Sequence, residues 1–162
     1  MKNSTLHMLL IVLTFQVLFG CRNETKIESL TKTSDSELTD LITKQVDSLY
    51  SVYKKFDYDW IEFYDDTYTA MYPDSPIQLM TKDSLLEQWK RIYAQYNVKL
   101  LSRGQPTIIP SADMAISYNS FNEIFINKET LDTIKNSGIY LVNWKRQSDD
   151  SWKIVFEAVH QN

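Results

Sequence analysis

The chain has 162 residues, 43% hydrophobic, 13% aromatic and 23% charged, with 17 Lys+Arg against 21 Asp+Glu for a formal charge of −4. These proportions fit one globular domain and exclude a disordered chain, a coiled coil or a collagen-like fibre. With 3 Gly, 1 Cys and 2 His there is no material for a disulfide scaffold, a cysteine-ligated zinc site or a glycine-rich phosphate cradle, whereas 4 Trp, 10 Tyr and 7 Phe require a thick core or a lined cavity.

Lys2 is the only charged residue among the first twenty, and the run Leu6 to Phe19 is apolar apart from His7, Thr14 and Gln16. A charged start followed by an apolar stretch too short to span hydrocarbon as a helix reads as a signal peptide over residues 1–20. The stretch closes on Leu18-Phe19-Gly20-Cys21, which resembles the lipobox of bacterial lipoproteins, with Phe19 bulkier than the residue usual there. That resemblance implies lipidation of Cys21 and an envelope protein whose partner is the membrane lipid; the alternative is a secretory signal cut elsewhere, with Cys21 incidental. Arg22, where an aspartate would direct retention at the inner membrane, implies outer-membrane placement by resemblance to lipoprotein sorting. Without residues 1–20 the chain loses Lys2 and no acid, so its net charge falls to −5, which argues against nucleic acid as a partner.

Residues 21–35 are polar and aperiodic and read as a flexible tether, with the domain over residues 36–162. From Ser36 to Phe56, apolar residues recur at three- and four-residue steps (Leu38, Ile42, Val46, Leu49, Tyr53), which predicts a long amphipathic helix. Asp59 is placed to cap a short second helix bearing Trp60, Ile61, Phe63 and Tyr64. Strands are predicted over Thr67 to Tyr72 and Ile77 to Met80 around a Pro73-Asp74-Ser75-Pro76 turn, then a third helix from Lys82 to Tyr96, ended by Asn97. The remainder reads as strands. Val98 to Ile109 is bent by Gly104 and Pro106, and Ala112 to Asn127, Gly138 to Gln147 and Ser151 to His160 follow, the last two joined by a Ser148-Asp149-Asp150-Ser151 turn. The sum is an α+β domain with three N-terminal helices packed on one face of a curved antiparallel sheet.

The order of these elements, with Trp60 and Tyr64 on the short helix, Asp65-Asp66 before a strand, the segment TKDSLLEQW and the ending GIYLVNWKRQSDDSWKIVFEAV, resembles the nuclear transport factor 2-like superfamily. Within it the likeness is to the SnoaL-like branch that contains domain of unknown function 4440, through Gly138, Trp144-Lys145, Asp149-Asp150 and Trp152-Lys153-Ile154. The resemblance implies a cone-shaped fold, a cavity between sheet and helices, and a homodimer formed through the outer sheet face.

The chemistry is sparse. His160 is the only histidine left after the signal, too few for a metal site or a triad, and no catalytic residue, metal or cofactor is expected. Strand alternation places His160 with Trp152, Ile154 and Phe156 on the helix-facing side, and puts Glu157 with Lys153 on the other side as surface or interface charge. Asp65-Asp66 reads as a capping and turn pair. Trp60, Tyr64, Tyr118, Tyr140, Trp144 and His160 are the candidate ligand-binding set, with plain core packing as the alternative. Three readings remain open: a tethered binding module for a small apolar or amphipathic molecule, a SnoaL-like enzyme moving a proton with a lone carboxylate such as Glu157 or Asp65, or a dimeric interaction module.

Overall fold

Ser34, not Ser36, starts the first helix. Its hydroxyl accepts the Glu37 N–H at 3.2 Å while the Glu37 carboxylate accepts the Ser34 N–H at 2.9 Å, a reciprocal pair that satisfies two otherwise orphaned donors. Helix α1 therefore runs Asp35–Tyr53 and buries the stripe Leu38, Ile42, Val46, Leu49 and Tyr50. The computed structural model describes residues 34–162. The expected signal peptide, Cys21 and most of the expected tether lie outside the described residues.

The chain then leaves the helix and makes a short 3-10 helix, Asp59–Phe63, where an α-helical turn was expected. This five-residue segment runs directly into β1 and tightens to the narrower helix, so the described residues hold two α-helices and this 3-10 turn, not three α-helices. Strand β1 (Tyr64–Met71) and strand β2 (Gln78–Thr81) form a hairpin. Thr81 caps helix α2 (Lys82–Gln95) by exchanging hydrogen bonds with Ser84 at 3.1 and 2.9 Å. No Asn97 cap is used: Tyr96 already has extended dihedrals, and the helix passes directly into β3 (Tyr96–Arg103).

The expected bend at Gly104 and Pro106 is a break that separates β3 from β4 (Thr107–Pro110). Both pair with successive halves of the 14-residue strand β5 (Met114–Asn127). Strands β6 (Thr133–Arg146) and β7 (Trp152–Gln161) complete a seven-stranded sheet in the order β2-β1-β7-β6-β5-β3, with β4 also on β5. The sheet is mixed, not wholly antiparallel, because β7 returns alongside β1 in parallel.

One irregularity decides what faces inward on β7. On β6, Asn143 pairs with Phe156 but Trp144 pairs with Ile154, so Val155 is an extra residue in β7. Such a bulge reverses side-chain alternation beyond it. Trp152 and Ile154 are buried before the bulge, Glu157 after it, and His160 is exposed. The assignment of Phe156 and His160 to the helix-facing side is therefore overturned, and Glu157 is not a surface charge.

The core proper lies where the first half of α1 meets the sheet: Leu38, Ile42 and Val46 belong to one buried cluster with Ala115, Val142, Trp144 and Ile154. Trp144 is wholly buried there, its indole N–H donating to Ser117 Oγ at 2.9 Å. Gly138 permits a close approach of β6 to β7, since a Cβ at that position would lie 1.9 Å from the carbonyl oxygen of His160. Only backbone movement relieves such a clash, so Gly138→Ala should lower unfolding free energy by about 2–3 kcal/mol in chemical denaturation.

Candidate functional site

Beyond the core, the second half of α1, the 3-10 turn and α2 stand off the inner sheet face and leave a cavity of about 450 Å3. Its apolar wall is aromatic. Tyr53, Trp60 and Trp89 come from α1, the 3-10 turn and α2, and each pair of rings meets edge to face: Tyr53–Trp60 at 5.6 Å, Tyr53–Trp89 at 5.7 Å and Trp60–Trp89 at 5.2 Å between centroids. Contacts of this kind contribute roughly 0.5–1.5 kcal/mol each beyond burial, and they join three separate elements into one rigid wall. Leu49, Leu85, Ile92, Leu100 and Phe121 fill the remaining apolar surface.

Two carboxylic residues break this apolar lining. Glu157 is only 3% exposed and sits among three tyrosines. Tyr64 Oη lies 2.6 Å from Glu157 Oε2 and 2.6 Å from Tyr140 Oη; Tyr140 Oη lies 2.9 Å from the same Oε2, and the Tyr72 hydroxyl donates to Oε1. Those are four oxygen–oxygen contacts supplied with three phenolic protons. The set is complete only when Glu157 carries a proton of its own, because an ionised carboxylate leaves one close oxygen pair with no hydrogen between them. Burial acts in the same direction, pushing the Glu157 carboxyl above the usual range against the opposing pull of the tyrosine hydroxyls. Burial beside Glu157 also holds Tyr64, Tyr72 and Tyr140 above the ordinary phenol range, so all three remain neutral donors.

Glu123 is the second. It pairs with Asn136 across β5 and β6, where Asn136 Nδ2 donates to Oε1 at 2.7 Å, and the Tyr53 hydroxyl of α1 donates to Oε2 at 2.8 Å. Asn136 in turn accepts from Gln161 Nε2 at 2.8 Å, which ties the end of β7 to this group. Burial holds the Glu123 carboxyl above the usual range, against the opposing pull of the Tyr53 and Asn136 donors. Among the residues that line the cavity there is no Lys, Arg or His.

Of the six sequence-derived candidates, Trp60, Tyr64 and Tyr140 line the cavity together, and Trp60 and Tyr64 meet edge to face at 5.8 Å between centroids. The other three do not. Trp144 is in the closed core, Tyr118 faces outward on β5, and His160 is an exposed residue near the end of β7. Asp65 lies in a separate shallow polar depression with Lys82 and Gln147, and its Oδ1 accepts the Asp66 N–H. Glu123, Tyr53, Tyr72 and Trp89 went unrecognised as site residues. Counting β5 in steps of two from Ala115 does reach Glu123 through Ser117, Asn119 and Phe121, the buried side of that strand. On the outer face Ile109, Tyr118 and Ile139 are exposed.

No family model matches the chain, and no curated protein matches it significantly in sequence. Solved structures do share its fold. A nuclear transport factor 2-like superfamily protein from Salmonella enterica is 15% identical and superposes with a TM-score of 0.64 over 79% of this chain and 93% of its own. A ketosteroid isomerase-like protein from Erwinia carotovora is 19% identical, TM-score 0.60, over 79% and 98%. A hexachlorocyclohexane dehydrochlorinase from Novosphingobium barchaimii is 14% identical, TM-score 0.63, over 78% and 90%.

The proton count makes a prediction about stability. A carboxyl whose folded pKa is raised favours the folded state most while it is protonated in both states, and that advantage is lost as pH rises from its unfolded value through its folded one. Wild-type stability should therefore fall as pH rises above about 4.5, the ordinary glutamate value. Glu157→Gln, which keeps the shape and the donor of the neutral acid, should flatten that slope in denaturation series at successive pH values and be no less stable than wild type at neutral pH. At identities of 14–19% the fold is what these proteins have in common, and the described residues adopt the nuclear transport factor 2-like fold.

Proposed function

We propose that this protein is a lipid-anchored component of a bacterial envelope, and that its domain binds a small, largely apolar or amphipathic molecule in the cavity between helices and sheet. The observation that carries the binding reading is the cavity: about 450 Å3, walled by aromatic rings from three elements, with a few convergent polar groups. That volume falls within the range of small-molecule sites, and the ratio of apolar wall to polar handles is that of a ligand pocket. Native mass spectrometry of the purified protein should show a copurifying small molecule. Ile92, half-buried on α2 at the cavity wall, provides the control: Ile92→Trp should fill the space and abolish retention while the domain stays folded. A wild-type protein that retains no small molecule and binds none in a library screen would refute this reading.

A second reading is favoured by one specific observation. Glu157 is a buried acid in an apolar cavity with its proton shared among phenols, which is the setting that brings a carboxyl toward working pH for acid–base chemistry. The dehydrochlorinase and the ketosteroid isomerase-like protein share this fold, and a SnoaL-like enzyme performing proton transfer would place Glu157, not Asp65, at its centre. Glu157→Gln separates the readings, because it removes any proton transfer while preserving the shape of the pocket. A homodimer through the outer face is compatible with either reading.

The anchor is tested independently. Cys21→Ser should leave the domain folded and move the protein from the membrane fraction to the soluble one; unchanged membrane partitioning would exclude lipidation as the anchor. One acyl chain binds membranes marginally, so stable retention of the wild type implies two or more.

A further inference from the structure

Two carboxyl groups line the cavity without a basic side chain to balance them, and they differ in how their protons are accounted for. Glu157 completes its surroundings by keeping a proton. Glu123 does not need one: its contacts, from the Tyr53 hydroxyl and the Asn136 amide, each bring their own hydrogen, so this pair of donors suits a carboxylate. A carboxylate buried in apolar surroundings without a counter-charge is costly. The arginine on the neighbouring strand does not relieve it, since Arg103 pairs with Asp47 of α1, lies over the Tyr50 ring at 4.9 Å, and is outside the cavity lining.

The groups beside Glu123 are those that hold a cation. Tyr53, which donates to it, is edge-on to both Trp60 and Trp89, with interplanar angles of 81° and 89°. Trp60 and Trp89 meet each other at 78°. In such contacts the edge of one ring rests on the face of the next, so the three rings form one rigid aromatic wall, and an aromatic face turned toward a cavity attracts an ammonium group. An anionic ligand would meet Glu123 as a like charge, and a neutral one would leave its charge unbalanced.

We infer that the cavity is selective for an organic cation, an ammonium group on an apolar body, with Glu123 as counter-charge and Tyr53, Trp60 and Trp89 as the aromatic wall. This rests on the cavity being a ligand site, as proposed above, and it adds the charge of the ligand.

Three probes with one skeleton and three charges test it: 4-phenylbutylammonium, 4-phenylbutan-1-ol and 4-phenylbutyrate, titrated into the full chain at neutral pH and low salt. Calorimetry gives affinity, and tryptophan fluorescence reports on Trp60 and Trp89 at the wall. The ammonium should bind about tenfold more tightly than the alcohol, and the butyrate more weakly than the alcohol. In Glu123→Gln the preference for ammonium over alcohol should shrink to about threefold or less. Alcohol or butyrate binding as tightly as ammonium to the wild type overturns the inference and leaves the ligand-site reading standing. A full ammonium preference surviving in Glu123→Gln overturns the role of Glu123. If none of the probes binds, the inference falls, while the ligand-site reading is decided by the mass-spectrometric and library tests given above. Should Glu123→Gln not fold, the wild-type series alone decides the charge preference.

Discussion

A carboxyl group taken out of water must be hydrogen-bonded or it destabilises the fold by several kcal/mol, and the way Glu157 meets this demand organises the cavity end of the molecule. Its partners come from different parts of the chain: Tyr64 opens β1, Tyr72 follows its end, and Tyr140 is on β6. The parallel pairing of β1 with β7 and the antiparallel pairing of β6 with β7 bring these phenols to one point. Each hydroxyl is fixed by a partner that is itself fixed, so the polar end of the cavity is as determinate as the packed core beside it.

That determinacy explains how a void persists next to a close-packed interior. Toward the amino end of α1, Leu38, Ile42 and Val46 close on Trp144 and Ile154 with no space left. One or two turns further along the helix, Leu49 and Tyr53 face the cavity instead. Collapse there would require the Tyr53, Trp60 and Trp89 rings to abandon their edge-to-face contacts and Glu123 to give up Tyr53. The hydrogen-bonded chain Gln161, Asn136, Glu123, Tyr53 runs from β7 across β6 and β5 to α1 and braces the opposite side.

Helix positions and the succession of strands along the chain were largely legible in the sequence because they rest on local signals: the three- and four-residue stripe of α1, the Thr81 cap of α2, and turn residues between apolar runs. The architecture followed from element order. What the sequence concealed was orientation. On β5 the buried side carries Ser117, Asn119 and Glu123, while Ile116 and Tyr118 lie on the other, so hydrophobic alternation favours the wrong face. On β7 an unbroken alternation was assumed through Val155, and the single extra residue there reversed every position beyond it. Neither a polar stripe turned inward nor a bulge has a composition signature in this chain; both are set by pairing with distant strands. The helix count erred for a related reason, since a five-residue segment under tertiary constraint tightens to 3-10 whatever its apolar spacing.

The bulge at Val155 also separates two properties that usually change together, the identity of the residues and the chemistry of the interior. Were Val155 instead taken into regular pairing opposite Asn143, with the rest of β7 slipping by one residue along β6, Phe156, Ala158 and His160 would occupy the inward positions now held by Glu157, Val159 and Gln161. The acid would turn to solvent, the tyrosines would lose their shared acceptor, and an imidazole would enter near the rim. A one-residue slip in strand pairing, without substitution, is thus enough to exchange an acid-bearing pocket for an apolar one with a basic edge. A fold with this arrangement has access to a new ligand class by a register slip that begins beyond Trp152 and Ile154 and leaves these core residues in place.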